Sequence, residues 1–212
     1  MATINKKMIG SMQTKMQEIG NNLRASVGHK TKLELVDYSS HRLEDIWDIY
    51  ESSFPPDERR DLDKEKEFLK EKKFKLYAII TEKNETAGFA VIWEFNNFSF
   101  GEHFAIKKEF RGRGYGPEAF MMLKENLKFP VVIEVEPETL SPTAAKRINF
   151  YKRLGAKANP FDYIQPAYSA TKKPIPMIIM SYPDSLSESM YDKIREKIHT
   201  EVYGLKGPLK SL

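Results

Sequence analysis

The sequence contains no cysteine, which excludes thiolate nucleophiles, disulfide frameworks and cysteine-ligated zinc in one step. Histidine is scarce: His29, His41, His103 and His199 are too scattered for metal-ligand spacing, so neither a structural nor a catalytic metal is expected. No stretch reaches the ~18 consecutive apolar residues that mark a bilayer-crossing helix, so no membrane span is expected. Neither charge sign dominates. Against 34 Lys and Arg stand 30 Asp and Glu, a net +4 that suits a small anionic ligand as well as nucleic acid. Repeats and long low-complexity tracts are missing too. What is present is the composition of a folded globule: 212 residues, 41% hydrophobic and 12% aromatic, enough to fill the core of one full domain.

Residues 1–31 read as a separate basic extension. Ile9, Met12, Met16, Ile19 and Leu23 recur at spacings of three and four, one face of a helix, while Lys6, Lys7, Lys15 and Arg24 oppose the single acid Glu18. A helix packed on the body or fraying from it is the plain reading, and a targeting or membrane-surface helix is the other. The lack of an apolar h-region excludes a secretory signal.

From residue 32 the periodicity changes. Strands are expected at 32–37, 75–81, 86–95, 98–106, 131–136, near 157–164 and at 175–182. Helices are expected at 40–54, 61–73, 117–128, 141–154 and 185–203. Asn96-Asn97 suits a two-residue hairpin turn with positive φ. This alternation implies an α/β domain over 32–183, with a mixed, mostly antiparallel sheet of about seven strands and helices on both faces. Residues 184–212 supply a closing helix packed on it.

The chemistry concentrates in His103-Phe-Ala-Ile-Lys-Lys-Glu-Phe-Arg-Gly-Arg-Gly-Tyr-Gly-Pro-Glu-Ala-Phe120. A strand runs into a turn and then into the start of a helix. Gly112, Gly114 and Gly116 let the backbone curl so that successive N–H groups converge. The helix start adds unpaired donors and partial positive charge, with Arg111 and Arg113 beside it. Such a turn is built for a pyrophosphate. It lacks the Gly-Lys-Ser/Thr of a P-loop and the glycine spacing of a dinucleotide fingerprint. Arginine-glycine segments that bind RNA repeat in disordered tails, whereas this one occurs once between ordered elements, so nucleic acid is not the expected partner.

Arg111-x-x-Gly114-x-Gly116 after Phe104-Ala105-Ile106 resembles the acetyl-CoA signature of the GNAT superfamily of N-acetyltransferases. Val132-Ile-Glu-Val-Glu136 followed by Asn149-Phe-Tyr-Lys-Arg-Leu-Gly-Ala156 is similar to the second half of that family's pattern, and the resemblance covers about 32–182. Ser53-Phe-Pro-Pro-Asp-Glu-Arg-Arg60, Tyr163-Ile-Gln-Pro166 and the stretch His199 to Tyr203 resemble a bacterial subgroup whose substrate is unassigned. Two positions depart from the pattern. Pro117 stands where the family often has Ser or Thr and cannot donate an N–H to phosphate, and Ala144 stands where it often has Asn.

The resemblance implies transfer of acetyl from acetyl-CoA to an amine, with no metal. Ala105, Ile106, Arg111, Gly112, Arg113, Gly114, Tyr115 and Gly116 are the expected coenzyme contacts, the Ile106 N–H holding the thioester carbonyl. Tyr151 is the expected general acid, since a phenol of pKa ~10 keeps its proton at neutral pH. An ammonium must lose a proton before it attacks, and Glu102 ranks first as base, directly or through a water. Glu134 and Glu136 stand behind it, and for all three a solvated or ion-paired carboxylate is the plain alternative. His103 falls on the opposite side from Glu102 if the strand is regular, and reads as packing first and as a base second. Glu58, Tyr163, Gln165 and Tyr168 are candidate substrate contacts, with a surface loop as the plain alternative. Lys146 and Arg147 read as a solvated helix face, with contact to the coenzyme's ribose phosphate as the alternative. A small-molecule amine is the expected acceptor, in a cytoplasmic enzyme without a membrane partner and with a homodimer left open. A catalytically idle acyl-CoA sensor is the alternative, and a nucleic-acid-binding protein a more distant one.

Overall fold

The computed structural model describes residues 30–209. The basic helix expected within residues 1–31 therefore lies outside the described residues except at its last two positions. The chain divides into Met1–Lys30 and Thr31–Leu212, and the architecture below is that of the second unit.

Its elements follow in the order β1 (Thr31–Val36), α1 (Leu43–Ser53), α2 (Leu62–Phe68), β2 (Phe74–Thr81), β3 (Thr86–Glu94), β4 (Ser99–Ile106), α3 (Tyr115–Asn126), β5 (Val131–Val135), α4 (Pro142–Arg153), β6 (Lys157–Ala158), β7 (Tyr163–Gln165), β8 (Ile175–Tyr182) and α5 (Glu188–Glu201). The sheet runs β1-β2-β3-β4-β5-β8-β6, with β7 off that path and paired to β8. All pairings are antiparallel except β4 with β5. The α/β fold with a mixed sheet and helices on both faces is thus observed. Among the described residues no helix is long and apolar enough to cross a membrane.

Strand alternation divides the core in two. On one face Leu76, Phe89, Trp93, Phe100 and Val132 pack with Ile46 and Tyr50 of α1 and with Ile194 and Ile198 of α5. On the other, Ile92, Ile133 and Val135 meet Phe120 and Leu123 of α3 and Ile148 and Tyr151 of α4. Helix α4 starts on Ser141, whose hydroxyl accepts from Ala144 N–H at 3.0 Å, and carries Pro142 where a missing N–H does no harm.

Several expectations need correction. The strand expected near 157–164 is two short ones. Pro160 has no N–H for a ladder, and Asn159 turns the chain by bonding Ile179, Ser181 and Leu186 through its side chain. Helix α2 ends at Phe68 rather than near residue 73, because Lys70-Glu-Lys-Lys73 brings nothing apolar to bury. The Asn96-Asn97 hairpin forms, closed by Phe95 N–H to Phe98 O at 3.0 Å. Among the described non-glycine residues, however, the positive φ belongs to Asn84, at 64°, in the preceding connection.

Two features of β4 position everything that follows. Its pairing with β5 stops after Gly101 opposite Ile133, so the strands part beyond that point. At Gly101 the packing is tight, since a β-carbon there would stand 3.0 Å from Ile133 Cγ2. On the β3 side, Val91 pairs with His103 but Ile92 with Gly101, which leaves Glu102 as the extra residue of a β-bulge.

Candidate active site

The turn after β4 takes the form that its glycines require. Gly112 and Gly114 adopt φ of 74° and 89°, the left-handed region that side chains avoid. Gly114 caps α3, and Arg111 Nε donates to the Ile106 carbonyl at 2.7 Å, tying the turn to the end of β4. The helix begins at Tyr115, not at Pro117 as expected, so proline occupies its third position and removes one outward N–H. Gly116 is buried where a β-carbon would stand 3.4 Å from Ile106 Cγ1 and 3.6 Å from the Phe150 ring, which brings the helix start close to β4 and α4.

Backbone direction is fixed beside it. Lys107 N–H bonds to Ala87 O at 2.8 Å, so Gly88 and Ile106 form a non-hydrogen-bonded pair, and alternation turns the Ile106 N–H away from β3, towards the gap. By the same alternation the Ala105 amide faces β3 and belongs to the sheet.

Through the gap passes a cavity that opens to solvent. Phe104, Phe120 and Tyr151 line it on the α3–α4 side, and Glu58, Glu134 and Gln165 on the other. Tyr151 packs its ring on Phe120 and Phe150, with centroids 5.6 and 5.0 Å away. Burial pushes its phenol up to about 12, so it holds its proton at neutral pH.

Glu102 lines the same cavity, but its carboxylate is already engaged. Because of the bulge it lies on the same side as His103, contrary to the regular-strand expectation. Its carboxylate takes Arg60 Nη1 at 2.5 Å, Trp93 Nε1 at 2.7 Å and the Tyr168 hydroxyl at 3.0 Å, and its side chain is 0% exposed. Arg60 also reaches Glu65 at 3.2 Å and the Val202 carbonyl at 2.9 Å. Burial opposes the Arg60 charge, but Glu102 and Glu65 outweigh it and hold the guanidinium charged. Glu65, Glu102 and His103 bring ligand-type atoms within 4.8 Å of one another, and Arg60 supplies the positive charge there. Neither Arg60 nor Glu65 could be found from the sequence, where Asp57-Glu-Arg-Arg60 looks like an ordinary charged loop.

Glu134 faces the cavity. The hydroxyls of Tyr163 and Tyr203 donate to its two oxygens, the second at 2.7 Å. Burial pushes its carboxyl up to about 7, while the two phenols pull it back. Tyr163 and Tyr168 therefore stand behind carboxylates rather than on the cavity wall, and Tyr203 is a member of the site that sequence reasoning missed. Gln165 and Glu58 do reach the wall. Burial, then the charge of Glu136, raises the Glu58 carboxyl. Glu136 itself is paired with Arg147 at 2.5 Å, so Arg147 is not the solvated face it resembled. His103 donates from Nε2 to the Glu58 carbonyl at 3.0 Å, sits between Tyr50 and Phe54, and is held neutral by burial.

The acetyltransferase (GNAT) family model matches residues 43–156. A GNAT-family protein from Bacteroides thetaiotaomicron is 34% identical, with a TM-score of 0.76 over 82% of this chain and 99% of its own. The spermidine N-acetyltransferase from Vibrio cholerae, solved in complex with CoA and spermine, shares the fold at 12% identity, with a TM-score of 0.54 over 76% of this chain and 98% of its own. No curated protein matches. A strand pair parted around a through-going cavity, with a glycine turn at the head of the following helix, occurs here in a chain that belongs to the GNAT family of acetyltransferases.

Proposed function

We propose that this acetyltransferase moves acetyl from acetyl-CoA directly to the primary amine of a small molecule, with Glu134 as general base and Tyr151 as general acid. The observation that carries this reading is the cavity through the parted strands, which has Glu134 on one side of the sheet and Tyr151 on the other. The turn Arg111 to Gly116, with its two left-handed glycines and the start of α3, suits the coenzyme's diphosphate. The pantetheine arm would enter between α3 and α4, and the Ile106 N–H would meet the thioester oxygen as negative charge builds on it.

Both glutamates line the cavity, and Glu134 is preferred because among the described residues it pairs with no cation, whereas the Glu102 carboxylate is consumed by Arg60, Trp93 and Tyr168. In the reaction the amine nitrogen bonds the acetyl carbon and the carbon–sulfur bond breaks. Glu134 accepts the amine's proton, and Tyr151 gives one to the departing sulfur and is reprotonated from solvent. A base near pH 7 and an acid near 12 are ordered correctly for these tasks at neutral pH. A cavity that runs into the gap between the parted strands, with Glu58 and Glu134 on its wall, favours a small amine as acceptor.

Thiol release from acetyl-CoA over a panel of amines tests the reading. Release that depends on amine and falls at least tenfold in Tyr151→Phe is expected. Coenzyme binding without release by any amine would overturn it in favour of an acyl-CoA sensor.

A further inference from the structure

Resting on that reading, we propose that the proton Glu134 takes from the amine is held by a chain of oxygens, Glu134–Tyr203–Tyr168–Glu102, and that Tyr168 is the positioning residue that closes it. The links are continuous. The Tyr203 hydroxyl donates to Glu134 Oε2 at 2.7 Å, the Tyr168 hydroxyl donates to Glu102 Oε1 at 3.0 Å, and the two phenol oxygens stand 3.3 Å apart. Such a chain of four oxygens has three gaps, and its two phenols supply two hydrogens. Burial pushes both phenols well above their ordinary range, and the Glu102 and Glu134 charges add to it, so each keeps its hydrogen at neutral pH. With both carboxylates ionised, each hydrogen points to a carboxylate and the middle gap holds none. Its 3.3 Å is wider than the about 2.7–2.8 Å of an ordinary O–H···O bond.

One more proton fills that gap. When Glu134 accepts it, the new Oε2–H donates to the Tyr203 oxygen, Tyr203 turns its hydrogen to the Tyr168 oxygen, and Tyr168 goes on donating to Glu102. An amine N–H bond breaks and a Glu134 O–H bond forms, while the phenols only rotate their hydroxyls. The far end stays ionised, because Arg60 lies 2.5 Å from Glu102 and Trp93 donates to it as well. Facing Glu134 are Tyr163 of β7, Tyr203 after α5, Glu102 of β4 and Arg60 ahead of α2; Glu65 of α2 and the neutral His103 adjoin Glu102. Tyr163 donates to Oε1, which leaves Oε2 as the oxygen that takes the proton. The two chain phenols therefore act in opposite senses. Tyr203 donates to the ionised carboxylate, and a bond to a charged group is about twice as strong as a neutral one. Tyr168 helps only the protonated form, by accepting from Tyr203, so its loss weakens the base and the loss of Tyr203 strengthens it.

Tyr168→Phe keeps the ring against Arg60, His103 and Tyr203 and removes the oxygen. The experiment titrates the full-length protein by NMR without ligand, labelled with carbon-13 at glutamate Cδ and tyrosine Cζ. The Glu134 signal is assigned by its loss in Glu134→Gln, and that of Tyr168 through its backbone. In Tyr168→Phe the Glu134 midpoint is expected to fall by about half to one pH unit, the worth of one neutral hydrogen bond. In Tyr203→Phe it should rise. A midpoint unchanged or raised in Tyr168→Phe overturns the proposal, and amine-dependent thiol release by the same protein would leave acetyl transfer standing. A lowered midpoint in a protein that releases thiol with no amine supports the chain and overturns the catalytic reading instead. Should the variant not fold, the wild type decides alone. Among the described residues Tyr168 forms no hydrogen bond with Glu134, so its Cζ signal should move at the Glu134 midpoint, and a signal flat through that midpoint overturns the chain.

Discussion

Tyr203, just past the end of α5, donates a 2.7 Å hydrogen bond to Oε2 of Glu134 on β5, across 69 residues of chain. The Tyr163 hydroxyl holds the other oxygen. Two phenols from different elements thus fix the carboxylate and moderate its basicity at once. Burial alone would drive it above its present value of about 7, and the two donors stabilise the ionised form. A base that titrates near 7 is half ready at neutral pH and still basic enough to accept a proton from an ammonium passing through its transition state.

Glu134→Gln separates catalysis from stability. The substitution keeps the shape and removes the base, so kcat should fall by roughly 10²- to 10³-fold. Stability should move the other way. The folded carboxyl titrates at about 7 against an ordinary 4.5, so its contribution is complete below about 4.5 and is lost as pH rises through 7. Glutamine has no such loss. Calorimetric Tm of the variant is expected to exceed that of the wild type at pH 8, the difference vanishing towards pH 4.5. A variant with lower Tm at pH 8 would mean that the ionised group is a net stabiliser.

Tyr203→Phe should shift the pH profile without emptying the site. Removing a donor to the ionised form raises the Glu134 pKa. The rise of kcat with pH, expected near 7 in the wild type, should move to higher pH, so that activity is lost at pH 6.5 and largely recovered at pH 8.5. A uniform loss at all pH values would make Tyr203 a packing residue only.

The contrast between Gly114 and Glu102 explains what could be read in advance. A left-handed backbone position leaves a visible mark, because glycine is the residue that occupies it without strain, and three glycines between a strand and a helix pointed to the cradle. The apolar periods of α1 and α5 were equally plain. A β-bulge leaves no such mark. One inserted residue in β4 turned Glu102 beside His103 and onto Arg60, and the alternation rule that ranked it as base assumed a regular ladder. Tyr203 and Arg60 were hidden for another reason. Their partners lie on distant elements, and side-chain pairing over such separations is set by packing that no local pattern encodes.

Gly114→Glu should abolish coenzyme binding while the domain still folds. At φ of 89° any β-carbon is strained, by roughly 1–2 kcal/mol, and the new carboxylate would meet the diphosphate at the helix start. Titration calorimetry with coenzyme A should show no binding heat, with circular dichroism unchanged. Wild-type affinity in this variant would move the diphosphate elsewhere.

Arg60→Ala tests the buried cluster, and its effect should depend on pH. The guanidinium is about 5% exposed and neutralises Glu102 at 2.5 Å and Glu65 at 3.2 Å. Removing one partner of a buried ion pair strands the other, which typically costs about 3–5 kcal/mol. Glu65 can escape part of that penalty by taking a proton. Burial has already pushed it up to about 7 with Arg60 pulling it back, so without Arg60 it titrates higher still. The stranded carboxyl is then neutral and tolerable at pH 5, but is forced to ionise inside the core as pH rises past that value. Urea midpoints of variant and wild type should therefore lie closest at pH 5 and separate by pH 8.5. An equal separation at both values would place the loss in the stacking of Arg60 on Phe68 and Tyr168, at 4.7 and 4.6 Å, rather than in its charge.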